Sequence, residues 1–67
     1  MAAIKIIEGI GTSKTSIEDA ITHALDCTHQ TVRNVTGIDV IGLTAKVEDG
    51  KVVSWNANVK IAFEVER

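Results

Sequence analysis

The fold of this chain is decided by one segment near its end, Val47-Glu-Asp-Gly-Lys-Val-Val-Ser-Trp-Asn-Ala-Asn-Val-Lys-Ile-Ala-Phe-Glu-Val65. Its Glu48-Asp49-Gly50 is a hairpin turn signal, and the residues that follow alternate between apolar and polar side chains, which is typical of a β-strand. The apolar set is Val53, Trp55, Ala57, Val59, Ile61, Phe63 and Val65. The polar set is Ser54, Asn56, Asn58, Lys60 and Glu64. The segment predicts a strand longer than the usual length of about five or six residues, with one face that must be buried.

Two further strands are predicted outward from this segment. Residues 38–47 read as the partner strand of the hairpin, with Ile41, Leu43, Ala45 and Val47 on one face and Val40, Gly42, Thr44 and Lys46 on the other. Residues 3–11 read as the first strand. In that strand, Gly9 and Gly11 indicate a bend or a close approach of another backbone.

A helix is predicted between the first two strands. Over residues 16–33 the apolar side chains recur at spacings of three and four and form one stripe, made of Ile17, Ala20, Ile21, Ala24, Leu25 and Val32. Thr15 and Glu18 have the spacing of a capping box. The order is therefore β-α-β-β, which predicts an α+β fold in which one helix packs on a three-stranded antiparallel sheet.

Length and composition predict one small domain over residues 1–67 that gains stability by self-association. A chain of 67 residues buries only about 60% of its unfolded surface. The single cysteine, Cys27, excludes an internal disulfide, and no Cys/His cluster has zinc spacing. One helix can cover only part of the sheet, so we expect the open edges and the second face to be subunit contacts.

Charge and hydropathy argue against several classes of function. Seven basic and nine acidic residues are scattered without a basic stripe, so no nucleic-acid partner is expected. No apolar run approaches the roughly 18 residues of a membrane span, and the first residues lack the pattern of a signal peptide. We therefore expect a cytoplasmic protein without a membrane partner. The sequence also lacks a nucleophile–base pair and a Gly-rich phosphate loop, which favours a binding protein over an enzyme.

In the order and spacing of these features, nearly the whole chain resembles the dodecin family. The resemblance rests on Gly11-Thr12-Ser13 after the first strand, on the Ala-rich helix over residues 18–32 and on the closing pattern of Glu48-Asp49-Gly50, Trp55-Asn56 and residues 59–64. It implies a non-enzymatic, hollow homododecamer that binds flavins such as riboflavin or FMN in stacked pairs near symmetry axes. Such a shell would store the flavin or quench its photochemistry.

The sequence departs from the family at positions that would contact the flavin. Gly37 stands where the typical member has a tryptophan that stacks on the isoalloxazine ring, and Asn56 stands where it has a glutamine at the polar edge of the flavin. Thr44 matches an arginine that suits a phosphate in many bacterial members. Trp55 does not replace the missing indole, because it points to the face opposite to that of Asn56. The resemblance therefore supports the shell, whereas the flavin site lacks its stacking residue.

The candidate ligand contacts are Gly37, Asp39, Thr44, Asn56 and Asn58. An amide both donates and accepts, which suits the edge of a flavin, although a hydrated polar strand face would carry the same residues. Gly37 either ends the helix or forms a turn, or it leaves space for a different ligand. Asp39 either contacts a ligand hydroxyl or hydrates the start of the strand. Trp55 is expected to pack in the core or at an interface.

A metal ion is the alternative ligand of such a shell, since a few dodecin-like proteins are associated with calcium. Rings of carboxylates at symmetry axes can hold calcium or magnesium through oxygen ligands, and the candidates are Glu8, Asp39, Glu64 and Glu66. His23 and His29 are six residues apart and do not form an i, i+4 metal pair, so both are expected to be solvent-exposed, and Cys27 has no adjacent base. The metal ligands are left unassigned. The alternative function is a dodecin-like shell that binds calcium or another small molecule in place of flavin.

Overall fold

A computed structural model, which describes residues 2–66, confirms the predicted order of elements. The elements are β1 (Ala2–Ser13), α1 (Ile17–His29), β2 (Val35–Glu48) and β3 (Lys51–Glu66). β3 is the central strand of one sheet, and β1 and β2 pair with it on either side, both antiparallel. β3, which has the most regular alternation of apolar and polar residues, is therefore the strand that is paired along both edges.

The core lies between α1 and the strands β1 and β3, and the helix barely reaches β2. It is formed by Ala20 and Ala24 of the helix against Ala57, Val59 and Ile61 of β3. Small helix residues bring the helix close to the sheet. At Gly11, a Cβ atom would overlap the backbone oxygen of Ala20 and lie 2.8 Å from the Cβ of Ala24. This confirms the close backbone approach predicted in β1 at Gly11, whereas no atom lies within 4 Å of a Cβ position at Gly9.

Both ends of the helix differ from their predicted positions. Ser16 is the N-cap, and its hydroxyl accepts a hydrogen bond of 3.0 Å from the backbone N–H of Asp19. The capping box predicted at Thr15 and Glu18 is therefore wrong by one residue. The helix ends at His29 and not at Arg33. The chain then turns at Asn34, whose φ of 60° is in the left-handed region that asparagine tolerates.

The hairpin between β2 and β3 forms where its turn signal predicts it. Asp49 and Gly50 have φ values of 52° and 74°, as a two-residue type I′ turn requires at both central positions. Glu48 and Lys51 are the first pair of the hairpin. The Asp-Gly pair therefore sets the register from which the two strands extend.

Register shifts in this hairpin correct two predicted faces. Ile41 is left without a partner between the pairs Val40–Val59 and Gly42–Asn58. Because an extra residue inverts the alternation, Val40 lies on the helix side of the sheet opposite Val59, and the prediction that it shares a face with Gly42 is wrong. Val53 is left out in the same way near the turn, so it does not continue the row of Trp55.

The sheet exposes apolar side chains that the chain cannot cover. On the face opposite the helix these are Ile4, Ile6 and Ile10 of β1. On the helix side, in the part of β2 that α1 does not cover, they are Val40, Leu43 and Val47. Ile10 is 66% exposed and Leu43 is 50% exposed. Surfaces of this kind indicate contact with another molecule. Over residues 2–66, no helix is both long enough and apolar enough to cross a bilayer.

Candidate functional site

All five candidate ligand contacts belong to the face of the sheet opposite α1, which we call the open face. Residues directly opposite each other on paired strands share a face, and the buried Ala57, Val59 and Ile61 mark the helix side of β3. The other side of β3 carries Asn56 and Asn58. The remaining candidates pair with this same side, namely Gly37 with Ala62, Asp39 with Lys60 and Thr44 with Asn56.

Asn56 stands in the middle of an uncharged polar row across the sheet. Its partner on β1 is Thr12 and its partner on β2 is Thr44, and we call these three residues the amide row. Asn58 lies two residues further along β3, between Ile10 and Gly42. Both asparagines are half-buried. The structure thus brings together Thr44, Asn56 and Asn58 as a patch of hydrogen-bonding groups.

Gly37 borders a cleft on the open face. The cleft has a volume of about 270 Å³ and is lined by Ile6, Gly37, Ile38, Asp39, Lys60 and Ala62. Gly37 lies inside β2, eight residues beyond the last helical residue, His29, and without a positive φ, so the interpretation that it ends the helix or forms a turn is wrong. No atom lies within 4 Å of the position that a Cβ on Gly37 would take. The alternative interpretation, that this glycine leaves space for a ligand, stays a prediction.

A charged row lies next to the glycine in this cleft. Lys60 is directly opposite Glu8 on β1 and Asp39 on β2, and we call these three residues the charged row. All three side chains are exposed. Among the side chains of residues 3–65, no carboxylate lies within 4.0 Å of the ammonium group of Lys60. The charges are therefore adjacent but available to a ligand.

The cleft and the amide row are far apart within one chain. Gly37 pairs with Ala62, which is six residues from Asn56 along β3, and an antiparallel strand rises about 3.4 Å per residue. The two positions are therefore separated by about 20 Å. A single flavin ring cannot contact both Gly37 and Asn56 of the same chain.

The remaining sequence candidates lie on the helix side of the sheet. Trp55 is half-buried there, between Ser13 and Ala45, which confirms that it does not point toward Asn56. His29 is exposed, and Cys27 is exposed as well. His23 is exposed, as predicted, but its Nδ1–H donates to the backbone oxygen of Thr12 at 2.9 Å.

A hydrogen-bonded cluster ties the start of α1 to the end of β1. The buried hydroxyl of Ser13 donates to the Asp19 carboxylate at 2.6 Å, and Thr15 donates to the same oxygen at 3.1 Å. The Nε2 atom of His23 lies 3.6 Å from this oxygen. The hydrogen bond from Ser13, above all, holds the pKa of Asp19 below its ordinary value, and Thr15 and the positive charge of His23 act in the same direction. The cluster is part of the structural support, on the side away from the open face.

The carboxylates proposed as metal ligands do not meet within one chain. Glu8 and Asp39 are separated by Lys60, and Glu64 lies further along the open face opposite Ile4. The side chain of Glu66 lies outside what the structure describes. In the described residues, no group of three or more His, Cys, Asp or Glu side chains is placed to hold a metal ion.

Sequence reasoning placed Lys60 on this face but did not name it as a ligand contact, and it did not assign Thr12 and Ile6 to the face. The alternation in β3 places Lys60 on the same side as Asn56, which was a usable signal. Thr12 and Ile6 join the face through the register of β1, Thr12 opposite Asn56 and Ile6 opposite Ala62. No local sequence signal specifies that register, because β1 and β3 are joined through a helix and another strand.

Over residues 2–66, a three-stranded sheet with a long central strand and one helix on one of its faces define a small α+β protein with the order β-α-β-β. The family model described as Dodecin matches residues 3–66. The chain belongs to the dodecin family. No match was found among curated proteins.

Solved structures of dodecins share this fold. The dodecin from Streptomyces coelicolor is 27% identical with a TM-score of 0.93, and the alignment covers 98% of this chain and 94% of that one. The calcium dodecin from Mycobacterium tuberculosis, described as calcium-chelating with a novel calcium-binding site, is 28% identical with a TM-score of 0.83, covering 96% and 91%. A tryptophan-to-phenylalanine variant of the Thermus thermophilus dodecin is 24% identical with a TM-score of 0.94, covering 100% of both chains, and supports the fold alone.

Proposed function

We propose that this protein is a non-enzymatic flavin-binding and storage protein of the dodecin type, which holds riboflavin or FMN between copies of itself in a closed shell of twelve subunits. The observation that carries the proposal is the arrangement of the open face. The cleft provides an apolar surface for the ring, and the amide row provides hydrogen-bonding groups. The two lie about 20 Å apart along β3. Only different copies of the chain can bring both to one ring.

Self-association is supported by the apolar surface that one copy leaves uncovered. Ile6 is 61% exposed and Ile10 is 66% exposed on the open face, and Leu43 is 50% exposed beyond the helix. Each square ångström of apolar surface that is buried contributes roughly 25 cal/mol. Burying these side chains between copies therefore stabilises the assembly. Membership of the dodecin family supports a closed assembly and a binding role in place of catalysis.

The cleft supports a flat ligand, but one that binds weakly. Gly37 and Ala62 offer small surfaces, Ile6 offers an apolar wall, and Asp39 and Lys60 offer polar contacts at the rim. A stacking aromatic contributes about 1–3 kcal/mol per base-like ring. Without the indole at Gly37, affinity is expected to fall about ten-fold to hundred-fold relative to a member that has it, since about 1.4 kcal/mol corresponds to a factor of ten.

Fluorescence titration tests this function directly. Riboflavin and FMN are titrated with the purified protein, and the emission of bound flavin is expected to fall. Gly37→Trp should tighten binding about ten-fold or more, because the added ring enters free space in the cleft. Gly9→Trp is the matched control, since Gly9 also has free space around its Cβ position but lies on the helix side opposite Val59. Unchanged flavin emission at high micromolar protein, in the wild type and in Gly37→Trp, would refute the proposal.

Calcium is the second candidate ligand, and a specific observation favours it. The calcium dodecin from Mycobacterium tuberculosis is 28% identical to this chain over almost its full length, and Glu8, Asp39 and Glu64 all lie on the open face. Because these carboxylates are apart within one chain, a cation site would have to combine copies. Metal analysis of the purified protein, followed by calorimetric titration of chelator-treated protein with calcium, separates this function from flavin binding.

A further inference from the structure

We infer that a second ligand site lies on the helix side of the sheet, in a cleft between the C-terminal half of α1 and the start of β2, and that it binds a small apolar molecule with a primary ammonium group. The cleft, which we call the helix-side cleft, has a volume of about 410 Å³. This volume is within the range of about 300–1,000 Å³ that is typical of small-molecule sites. The helix-side cleft and the amide row are on opposite faces of the sheet, so the inference does not depend on flavin binding.

The helix-side cleft exists because α1 lies over β1 and β3 and barely reaches β2. Ala24 is buried in the core against β3. Its neighbour Leu25 is only half-buried and borders the gap that is left between the helix and β2. The packing that brings the helix close to one part of the sheet thus leaves a cleft over the other part.

A bulge in β2 brings two apolar side chains to this cleft. Thr36 is left without a partner between Val35 and Gly37. Because of this extra residue, Val35 and Ile38 both lie on the helix side of the sheet, although residues three apart on a regular strand face opposite sides. Bulges are common at sheet edges and beside functional sites, and β2 is an edge strand. Val35, Ile38 and Leu25 therefore form an apolar surface for the body of a ligand.

The polar side chains of the helix-side cleft can all accept a hydrogen bond. They are the carboxylate of Asp26, the imidazole of His29 and the hydroxyl of Thr36. The hydroxyl of Thr36 donates to the backbone oxygen of Ala62 at 3.5 Å, which leaves its lone pairs as acceptors. A carboxylate only accepts, and a neutral imidazole has one acceptor nitrogen. An ammonium group, which has three donors and no acceptor, complements this set.

The charge of the helix-side cleft also favours a cation. Asp26 is the only Asp, Glu, Lys or Arg among the residues that line the cleft. Within residues 3–65, no Lys, Arg or His nitrogen lies within 4.0 Å of its carboxylate. Asp26 and His29 belong to the last turn of α1, at the negative end of the helix dipole, where cations are stabilised. A cationic ligand is therefore favoured over an anionic ligand of the same shape.

Methyl NMR on the assembled protein, labelled at its Ile, Leu and Val methyl groups, tests the site with three probes of similar size. The probes are phenethylamine, which is cationic, hydrocinnamate, which is anionic, and phenethyl alcohol, which is neutral. We expect phenethylamine to shift the methyl signals of Leu25, Val35 and Ile38 in a saturable way. It should bind at least about five-fold more tightly than hydrocinnamate, since one exposed ion pair corresponds to a factor of up to about five and the anion is repelled.

A pair of variants tests the role of the carboxylate. Asp26→Asn should weaken the binding of phenethylamine by about two-fold to five-fold and leave that of phenethyl alcohol unchanged, because only the charge is removed. Asp49→Asn makes the same chemical change at the exposed hairpin turn and should leave the binding of both probes unchanged.

Three results would overturn the inference. The first is equal affinity for phenethylamine and hydrocinnamate, which would show that charge does not select the ligand. The second is the absence of saturable shifts at Leu25, Val35 and Ile38, including shifts confined to Ile6 and Ile10 on the open face. The third is an effect of Asp49→Asn as large as that of Asp26→Asn. The comparison of probes on the wild type gives the result even where a variant does not assemble.

Discussion

Gly37 and Asn56 lie on the same face of the sheet but about 20 Å apart, because Gly37 pairs with Ala62, six residues beyond Asn56 on β3. If both residues contact the flavin as proposed, a complete site needs more than one copy of the chain. Ligand binding and assembly are expected to be linked, since a ligand that binds only the assembled form stabilises it by mass action.

Asn56→Ala is expected to weaken flavin binding about ten-fold without changing the size of the assembly. The amide of Asn56 is half-buried between two threonines, and a hydrogen bond contributes about 0.5–1.5 kcal/mol. The measurement is a flavin titration with light scattering on the same samples. Ser54→Ala, one row closer to the turn on the same face, is the control that should bind as the wild type does. Equal affinities for all three proteins would show that Asn56 does not contact the ligand.

Gly11→Ala is expected to destabilise the fold by about 1–3 kcal/mol, the range for overpacking a filled site. The new methyl group would overlap the backbone oxygen of Ala20 and press on Ala24, so helix and strand would have to separate. Chemical unfolding followed by circular dichroism measures the change. Gly9→Ala adds the same methyl group where no atom lies within 4 Å and should shift stability by no more than about 0.5 kcal/mol. A loss in Gly9→Ala as large as that in Gly11→Ala would contradict the packing argument.

Acid is expected to weaken the fold through Asp19. Because hydrogen bonds from Ser13 and Thr15 and the charge of His23 lower the pKa of this carboxyl in the folded state, the carboxylate stabilises the fold fully at pH values above its unfolded-state pKa, near 3.8. That contribution is lost as the pH falls below this value through the lower pKa of the folded state. Unfolding measured from neutral to acidic pH should show this loss in the wild type.

Asp19→Asn separates this effect from general acid denaturation. The variant should be less stable than the wild type near neutral pH, and the difference should shrink below about pH 4 as the wild-type carboxylate is protonated. Asp49→Asn is the control, since Asp49 is an exposed turn residue whose left-handed φ asparagine also tolerates. A stability difference between wild type and Asp19→Asn that stays constant across the acidic range would contradict the prediction.

Ile10→Glu is expected to break the assembly into smaller species. Ile10 is 66% exposed on the open face of one chain, and a carboxylate placed in an apolar contact between copies is costly to desolvate. Size-exclusion chromatography with light scattering gives the mass. Thr22→Glu, on the exposed surface of α1, introduces the same group outside the proposed contact and should leave the mass unchanged. An unaltered mass for Ile10→Glu would exclude this part of β1 from the contact.

Local patterns predicted most of the fold because their causes are local. The alanine stripe of α1 and the Asp49-Gly50 turn appear in the structure where the sequence places them. The alternation of β3 predicts which of its residues are buried, from Ala57 to Ile61. The errors at the two ends of α1 arise because adjacent residues carry equally strong local signals. Thr15 and Ser16 are both good N-cap residues, and several residues at the polar C-terminal end could end the helix.

The faces of β2 and the make-up of the site could not be predicted in the same way. The bulge at Ile41 places Val40 on the helix side of the sheet. A glycine inside a strand can mark a bulge, but Gly42 by itself does not specify which residue is left without a partner. The candidate residues were found in sequence as separate positions. Their grouping into an amide row and a charged row depends on pairs such as Glu8 with Lys60, which are 52 residues apart.

The sequence by itself determined the elements, the buried side of the central strand and the family, since these depend on periodicity, turn chemistry and spacing within short segments. The tertiary structure decided the strand order, the register and therefore which side chains meet. Register is a property of two strands together, and a shift of one residue moves every side chain to the other face. For that reason the separation of Gly37 from Asn56, and the carboxylates on either side of Lys60, became visible only once β1 and β2 were paired with β3.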